Sequence, residues 1–213
     1  MDVVATRTRL TPVQRRDQLL DLGAELFASH PYDEVHIERV AELAGVSRGL
    51  LYHYFPSKRD FFVAFLSREN EALLAETAPD PTLPPIEQLR GGVVAFLDHC
   101  IAHEHGVRAV FRGAVSSDPA IVDIVSRSID LEVERILTAV DGHADVAPVL
   151  VLALRSWIGM VRASCYEFLG DRTIDKQDVA TMCIGAFVGA MSGLPATAVP
   201  AGLLRAIADV TPR

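Results

Sequence analysis

Residues 37–55 read IERVAELAGVSRGLLYHYF, and the fold turns on this stretch. Its apolar spacing makes two short helical runs, Ile37 to Ala44 and Arg48 to Tyr54, around a three-residue turn, Gly45-Val46-Ser47. Ala41 has to be small, because two helices joined so tightly cross close to it. Gly45 supplies the backbone freedom that the turn demands. Val46 plugs the space between the helices. Ser47 is a good cap for the second helix and leaves its first amides facing outward. These requirements together describe a helix-turn-helix, whose second helix enters the DNA major groove.

The flanking sequence supports the same reading. Thr11-Pro12-Val13-Gln14 combines a capping residue, a proline suited to the first helical position and a glutamine able to close a capping box. Leu19, Leu22, Gly23, Leu26 and Phe27 then form one buried stripe, which His30-Pro31 ends. After Pro56, Ser57 and Asp60 start a longer helix with Phe61, Phe62, Phe65 and Leu66 toward a core. Pro79-Asp80-Pro81-Thr82-Leu83-Pro84-Pro85 cannot continue a helix and marks the clearest boundary. Beyond it, helical periodicity predicts segments near 86–104, 107–117, 119–141, 146–169, 176–193 and 200–210, with Asp118-Pro119 as a start and Gly142 and Gly170 as stops. No alternating β-branched run stands against this. The expected fold class is all-α: a helix-turn-helix domain over residues 1–56 with a basic arm at 1–10, a connecting helix at 57–78, and a helical domain over 79–213 for effector binding and dimerisation.

Bulk properties narrow the function. Half of the 213 residues are hydrophobic, enough for a sizeable core. The net charge of −8 argues against a protein that coats DNA without specificity. Its distribution is uneven: residues 1–60 carry 8 basic and 9 acidic side chains, with the cations grouped at Arg7 to Arg16 and at Arg48, Lys58 and Arg59. A local patch of this kind can steer DNA on an acidic protein. Cys100, Cys165 and Cys183 are odd in number and lie in apolar stretches, as buried free thiols do, which suits a reducing cytoplasm. Met1 to Arg16 is too polar for a signal peptide.

The run Gly45 to Lys58 resembles the recognition-helix signature of the TetR family of transcriptional regulators nearly end to end. Arg15-Arg16, Leu19-Leu20 and Leu26-Phe27 match that family's first helix. The resemblance covers about residues 11–65. It implies that Ser47, Arg48, Gly49, Leu50, Tyr52, His53 and Lys58 face DNA: Arg48 toward a guanine edge, Leu50 toward a thymine methyl, Gly49 allowing close approach, and Lys58 on a phosphate. Leu51 and Phe55 belong to the packed face. Arg59 reads equally as a phosphate contact or a solvated charge. Two positions depart from the family. Pro31 replaces a usual glycine, and His36 replaces the usual serine or threonine that caps the second helix and touches a phosphate.

The resemblance further implies a homodimer on a palindromic operator and a ligand-responsive repressor released by a small hydrophobic effector. The segment from Phe96 to Pro119 is similar to members that respond to acyl-CoA or fatty acids. Phe96, Cys100, Phe111, Trp157, Met160 and Tyr166 are the candidate pocket residues, each with ordinary core packing as its competing reading. Val146 to Leu169 and Val179 to Leu194 are apolar almost all round, more than a monomer hides on one face. Gly185, Gly189 and Gly193 would let a partner helix approach closely. Pro195 and the polar Thr181 and Ser192 speak against a membrane span there. His99, Cys100, His103 and His105 form the one metal-like cluster, but solvated or capping histidines are the simpler reading, and no metal or cofactor is expected. No nucleophile elbow, phosphate-binding glycine loop or His-Glu-x-x-His motif points to catalysis.

Overall fold

The computed structural model describes residues 10–113, 115–140 and 146–210, and every regular element in them is helical. In chain order these are α1 (Pro12–Ser29), α2 (Glu38–Ala44), α3 (Arg48–Tyr54), α4 (Lys58–Glu76), α5 (Pro85–Ala102), α6 (Glu104–Arg112), α7 (Pro119–Ala139), α8 (Pro148–Gly170), α9 (Lys176–Ser192) and α10 (Ala201–Ala208). Single 3₁₀ turns lie at Tyr32–Glu34 and Ala196–Ala198. The arginines of the basic arm, Arg7 and Arg9, and the helix stop assigned to Gly142 fall outside the described residues.

Short-range chemistry sets most helix starts. Thr11 Oγ1 accepts from Gln14 N at 3.2 Å while Gln14 Oε1 accepts from Thr11 N at 3.0 Å, a complete capping box for α1. Ser47 Oγ caps α3 through Leu50 N, and Ser57 Oγ caps α4 through Asp60 N, both at 3.1 Å. Asp118 caps α7 by accepting from Ala120 N at 2.9 Å, ahead of Pro119. Gly45 closes α2 with φ 63, a left-handed conformation that a side chain would strain.

The region of α6 departs from the sequence reading. The chain breaks at His103, so α6 starts at Glu104 and ends at Arg112 instead of spanning 107–117. Gly106 and His105 both lie inside this helix. The real stop is Gly113, where a Cβ would meet the backbone of Ala109 at 2.5 Å. Only glycine fits so close a return of the chain.

Buried side chains gather in two clusters. The first joins Leu19, Leu20 and Phe27 of α1 to Val40 and Ala41 of α2, Leu51 of α3 and Phe61, Phe62 and Phe65 of α4. Ala109, Val115 and Ile121, from the α6–α7 region, complete it. Phe55 and Phe61 meet edge to face at 4.6 Å, as do Phe27 and Phe62 at 5.0 Å. α1 approaches α4 so closely that a Cβ on Gly23 would stand 2.3 Å from the Phe61 ring. The second cluster is built from α5, α7, α8, α9 and α10. At its centre Trp157 Nε1 donates to the carbonyl of Cys183 at 2.8 Å. α8 is long and apolar enough to cross a membrane, but it serves as a core helix here, burying Leu150, Leu154, Trp157, Ile158, Val161, Cys165, Phe168 and Leu169.

Polar contacts tie the two clusters together. Arg59 at the start of α4 forms a two-pronged ion pair with Asp118, the cap of α7. Arg135 of α7 donates to the Leu74 carbonyl at 2.6 Å near the other end of α4. α4 therefore touches α7 at both ends.

Candidate nucleic-acid interface and internal cavity

The sequence of α3 gives it two unlike faces. Leu51 and Phe55 are buried at 0% and 2% exposure; α3 packs on α2, and Phe55 just past its end meets Phe61 of α4. Ser47, Arg48, Gly49, Tyr52 and His53 are exposed, and Leu50 is half-buried beside them. Nothing but Ser47 Oγ lies within 4 Å of where a Gly49 Cβ would be, so the backbone of α3 is open to a ligand there. Tyr52 does not hang free. Its hydroxyl donates to the Glu38 carboxylate of α2, which raises the tyrosine pKa and lowers that of Glu38. This bond fixes the angle between the two helices on their exposed side.

Other expected contact residues are held differently. His36 is exposed, but no side chain caps α2, so the histidine leaves that helix start to backbone hydrogen bonds from Arg39 and Val40. Lys58 is half-buried: its ammonium lies over the Tyr32 ring at 4.5 Å and donates to the Asp33 carbonyl at 3.2 Å. Burial pushes its pKa down. Pro31, in the departure next to these residues, opens the 3₁₀ turn that carries Tyr32 and Asp33. Arg59 is exposed, and its guanidinium is held by the Asp118 carboxylate.

A cavity, partly open to solvent, lies between α4, α5, α7 and α8. Its walls are mainly apolar, with Leu89, Val93 and Phe96 from α5, Ile129 and Ile136 from α7, and Trp157, Ile158 and Val161 from α8. Leu73 and Thr77 of α4 also reach it. Of the six residues singled out for a pocket, Phe96 and Trp157 lie in this lining. Cys100 is buried beside Cys165, and that contact together with burial raises its thiol pKa. Phe111 stacks on Tyr166 at 5.9 Å, and Met160 packs half-buried against the second cluster.

The lining also holds polar groups that the sequence reading does not single out. Glu132 and Arg135 pair at 2.8 Å, and burial raises the Glu132 pKa. Arg162 and Ser128 also face this space. His99 and His103 stack at 4.4 Å, and each meets a carboxylate: His99 bonds Glu76 at 3.0 Å and is buried rather than solvated, while His103 lies 3.5 Å from Glu69. Among the described residues no three metal-ligating side chains converge.

The sequence model described as "Bacterial regulatory proteins, tetR family" matches residues 19–65, which hold most of α1, all of α2 and α3 and the start of α4. A crystal structure of a tetR-family transcriptional regulator from Streptomyces coelicolor superposes with a TM-score of 0.84 at 26% identity, over 94% of this chain and 91% of that one. Residues 19–65 carry the TetR-family helix-turn-helix, and the chain as a whole is similar to TetR-family transcriptional regulators. Among curated TetR-family relatives, the HTH-type transcriptional activator FasR of Mycolicibacterium smegmatis is 27% identical over 206 residues, covering 89% of this chain and 88% of FasR. The fold is shared by the transcriptional regulator FadR of Bacillus subtilis, solved in complex with stearoyl-CoA (TM-score 0.64, 16% identity, over 82% of this chain and 98% of that one). These relatives are named as regulators and not as enzymes, and DNA binding is the activity of the TetR helix-turn-helix that the chain carries.

The TetR reading also explains what the sequence left hidden. The role of Glu38 is not legible in the sequence, because it depends on Tyr52, fourteen positions away. Arg162 is visible in the sequence as a charge inside the apolar run of α8, two turns after Arg155, and that placement was the signal available.

Proposed function

We propose that the protein works as a homodimer that reads a palindromic DNA operator and lets go of it when an apolar effector, a fatty acid or acyl-CoA, occupies the cavity. The observation that carries this reading is that one helix, α4, borders both places: its first residues adjoin α3, and Leu73 and Thr77 near its end line the cavity. A helix of 19 residues spans about 28 Å. An effector that displaces its far end changes the setting of α3, and so the distance between the two recognition helices of a dimer. Half-sites one turn apart require about 34–36 Å between them.

In this reading residues 1–56 form the DNA-binding domain, 57–78 the connecting helix and 79–213 the effector and dimer domain. Ser47, Arg48, Gly49, Leu50, Tyr52 and His53 meet the groove, while His36 and Lys58 meet the flanking backbone. Lys58 does so after leaving the Asp33 carbonyl for a phosphate. Dimerisation uses the outer faces of α8 and α9. Leu152 is 64% exposed and Met182 52%, and Val149, Gly159, Ala163, Gly185 and Gly189 continue these apolar and small-residue stripes. Space is open around Gly159, Gly185 and Gly189, so a second copy can pack close. The setting is cytoplasmic.

The test couples the two halves of the reading. Mass in solution is measured by light scattering, and duplex affinity by fluorescence anisotropy with and without a series of fatty acids and acyl-CoAs. A dimer whose affinity for its selected duplex drops at least about tenfold with one of them supports the proposal. A monomer, or a dimer whose affinity no acyl ligand changes, contradicts it.

A further inference from the structure

Among the described residues, one cation of the cavity has no counter-charge. Arg162 of α8 lines it, with its guanidinium carbon 4.9 Å from the Phe111 ring centre and 6.0 Å from that of Phe96. Among the described residues it makes no ion pair and no hydrogen bond. Its neighbours on this side are otherwise paired: Arg108 and Arg172 hold Glu104, and Arg112 holds Glu167. The other arginine of the cavity, Arg135, is bound to Glu132. The Cys100 thiol supplies no charge to Arg162, since its contact with Cys165 and its burial raise its pKa. Burial itself disfavours the charged arginine and lowers its pKa. Ser128 of α7 is 4% exposed, faces the same cavity and likewise has no hydrogen-bond partner among the described residues.

An enclosed guanidinium without a partner destabilises the empty protein, because its desolvation is not offset. Such a group makes sense where a ligand brings the missing charge. We propose that Arg162 anchors the carboxylate of a free, long-chain monocarboxylic acid, with the hydrocarbon lying along Val161, Trp157 and Phe187. This rests on the reading that the cavity takes the effector, and it selects one of the two candidate classes. A single unpaired cation matches a single anionic head. The several phosphate charges of a CoA ester would need further free cations, and Arg135 is already committed. Guanidinium and carboxylate also fit as parallel forks, so the acid is recognised by shape as well as charge.

The experiment uses the full-length protein and its single tryptophan, Trp157, which lies in the cavity wall and reports occupancy by fluorescence. Straight-chain fatty acids, their methyl esters and their CoA thioesters are titrated at matched chain length, against wild type and Arg162→Met. The proposal expects the acid to bind wild type at least about tenfold more tightly than ester or thioester, as a charge-assisted pair allows. In Arg162→Met the acid preference should vanish while the ester still binds, and the melting temperature of the ligand-free protein should hold or rise. Equal binding of acid and ester to wild type, a tighter CoA thioester, or an unchanged acid preference in Arg162→Met would overturn the carboxylate anchor alone. Failure of every acyl compound to bind would overturn the effector reading as well. The acid-to-ester comparison is made on wild type, so it stands even if the variant does not fold.

Discussion

Gly23→Ala should destabilise the protein, although alanine is the better helix former. In an exposed helix the exchange gains up to about 1 kcal/mol. At position 23 the added methyl would stand 2.3 and 2.4 Å from two atoms of the Phe61 ring. Phe61 is 0% exposed and hemmed by Phe55 at 4.6 Å and Phe27 at 6.2 Å, so the ring cannot step aside without moving others. Overpacking of this kind costs about 1–3 kcal/mol, and so severe an overlap belongs at or above the upper end. After the propensity gain is subtracted, a net loss of about 2 kcal/mol remains, or roughly 4–8 °C in Tm for a chain of this size. Gly91→Ala is the matched control, since it lies within exposed α5 surface with nothing inside 4 Å of its Cβ. It should be neutral or slightly stabilising. Thermal melts followed by circular dichroism compare the two, and the double variant Gly23→Ala with Phe61→Leu should recover part of the loss. If Gly23→Ala melts at or above wild type, the close packing of α1 on α4 described here is wrong.

Two further outcomes follow from polar contacts. Asp118→Asn keeps a residue able to cap α7 but removes the charge that grips Arg59, so effector binding should change DNA affinity by a smaller factor than in wild type. The ratio of duplex Kd values with and without ligand measures this, and an unchanged ratio would show that the ion pair carries no coupling. His99 is held below its usual pKa of 6.5 by burial, only partly offset by its bond to Glu76. The unfolded chain therefore takes up this proton first, so the stabilisation is complete above about pH 6.5 and is lost as pH falls through the lower folded value. His99→Gln should flatten the loss of Tm between pH 7 and pH 5, whereas parallel curves for variant and wild type would assign the acid sensitivity elsewhere.

The N-terminal third was legible because its determinants are local. Thr11 and Gln14, Ser47, and Ser57 with Asp60 each set a helix start within four residues, and Gly45 needs its positive φ wherever the rest of the chain goes. The α6 region was not legible by the same means. Gly106 and Gly113 look alike in sequence, and only the return of the backbone onto Ala109 makes one of them a stop. The cavity depends even more on distant partners. Arg155 and Arg162 sit two turns apart on α8, yet Asp130 of α7 reaches the first and, among the described residues, no carboxylate reaches the second. Phe111 and Tyr166 read as pocket aromatics but stack on each other, with Arg112 over the Tyr166 ring at 4.6 Å. The aromatic content of a segment does not say which rings turn toward a space and which toward each other.

The central claim, that the exposed face of α3 reads a specific duplex, is tested most directly by selecting random double-stranded DNA on the purified protein. Affinity for the enriched site is then measured across salt concentrations for wild type, Arg48→Ala and Tyr52→Ala. The account predicts a two-fold symmetric sequence, a steep loss of affinity with salt from the phosphate contacts, and a loss of at least about tenfold in both variants at constant helical content. A folded protein that enriches no sequence at low or moderate salt, or variants that bind the enriched site as wild type does, would contradict it.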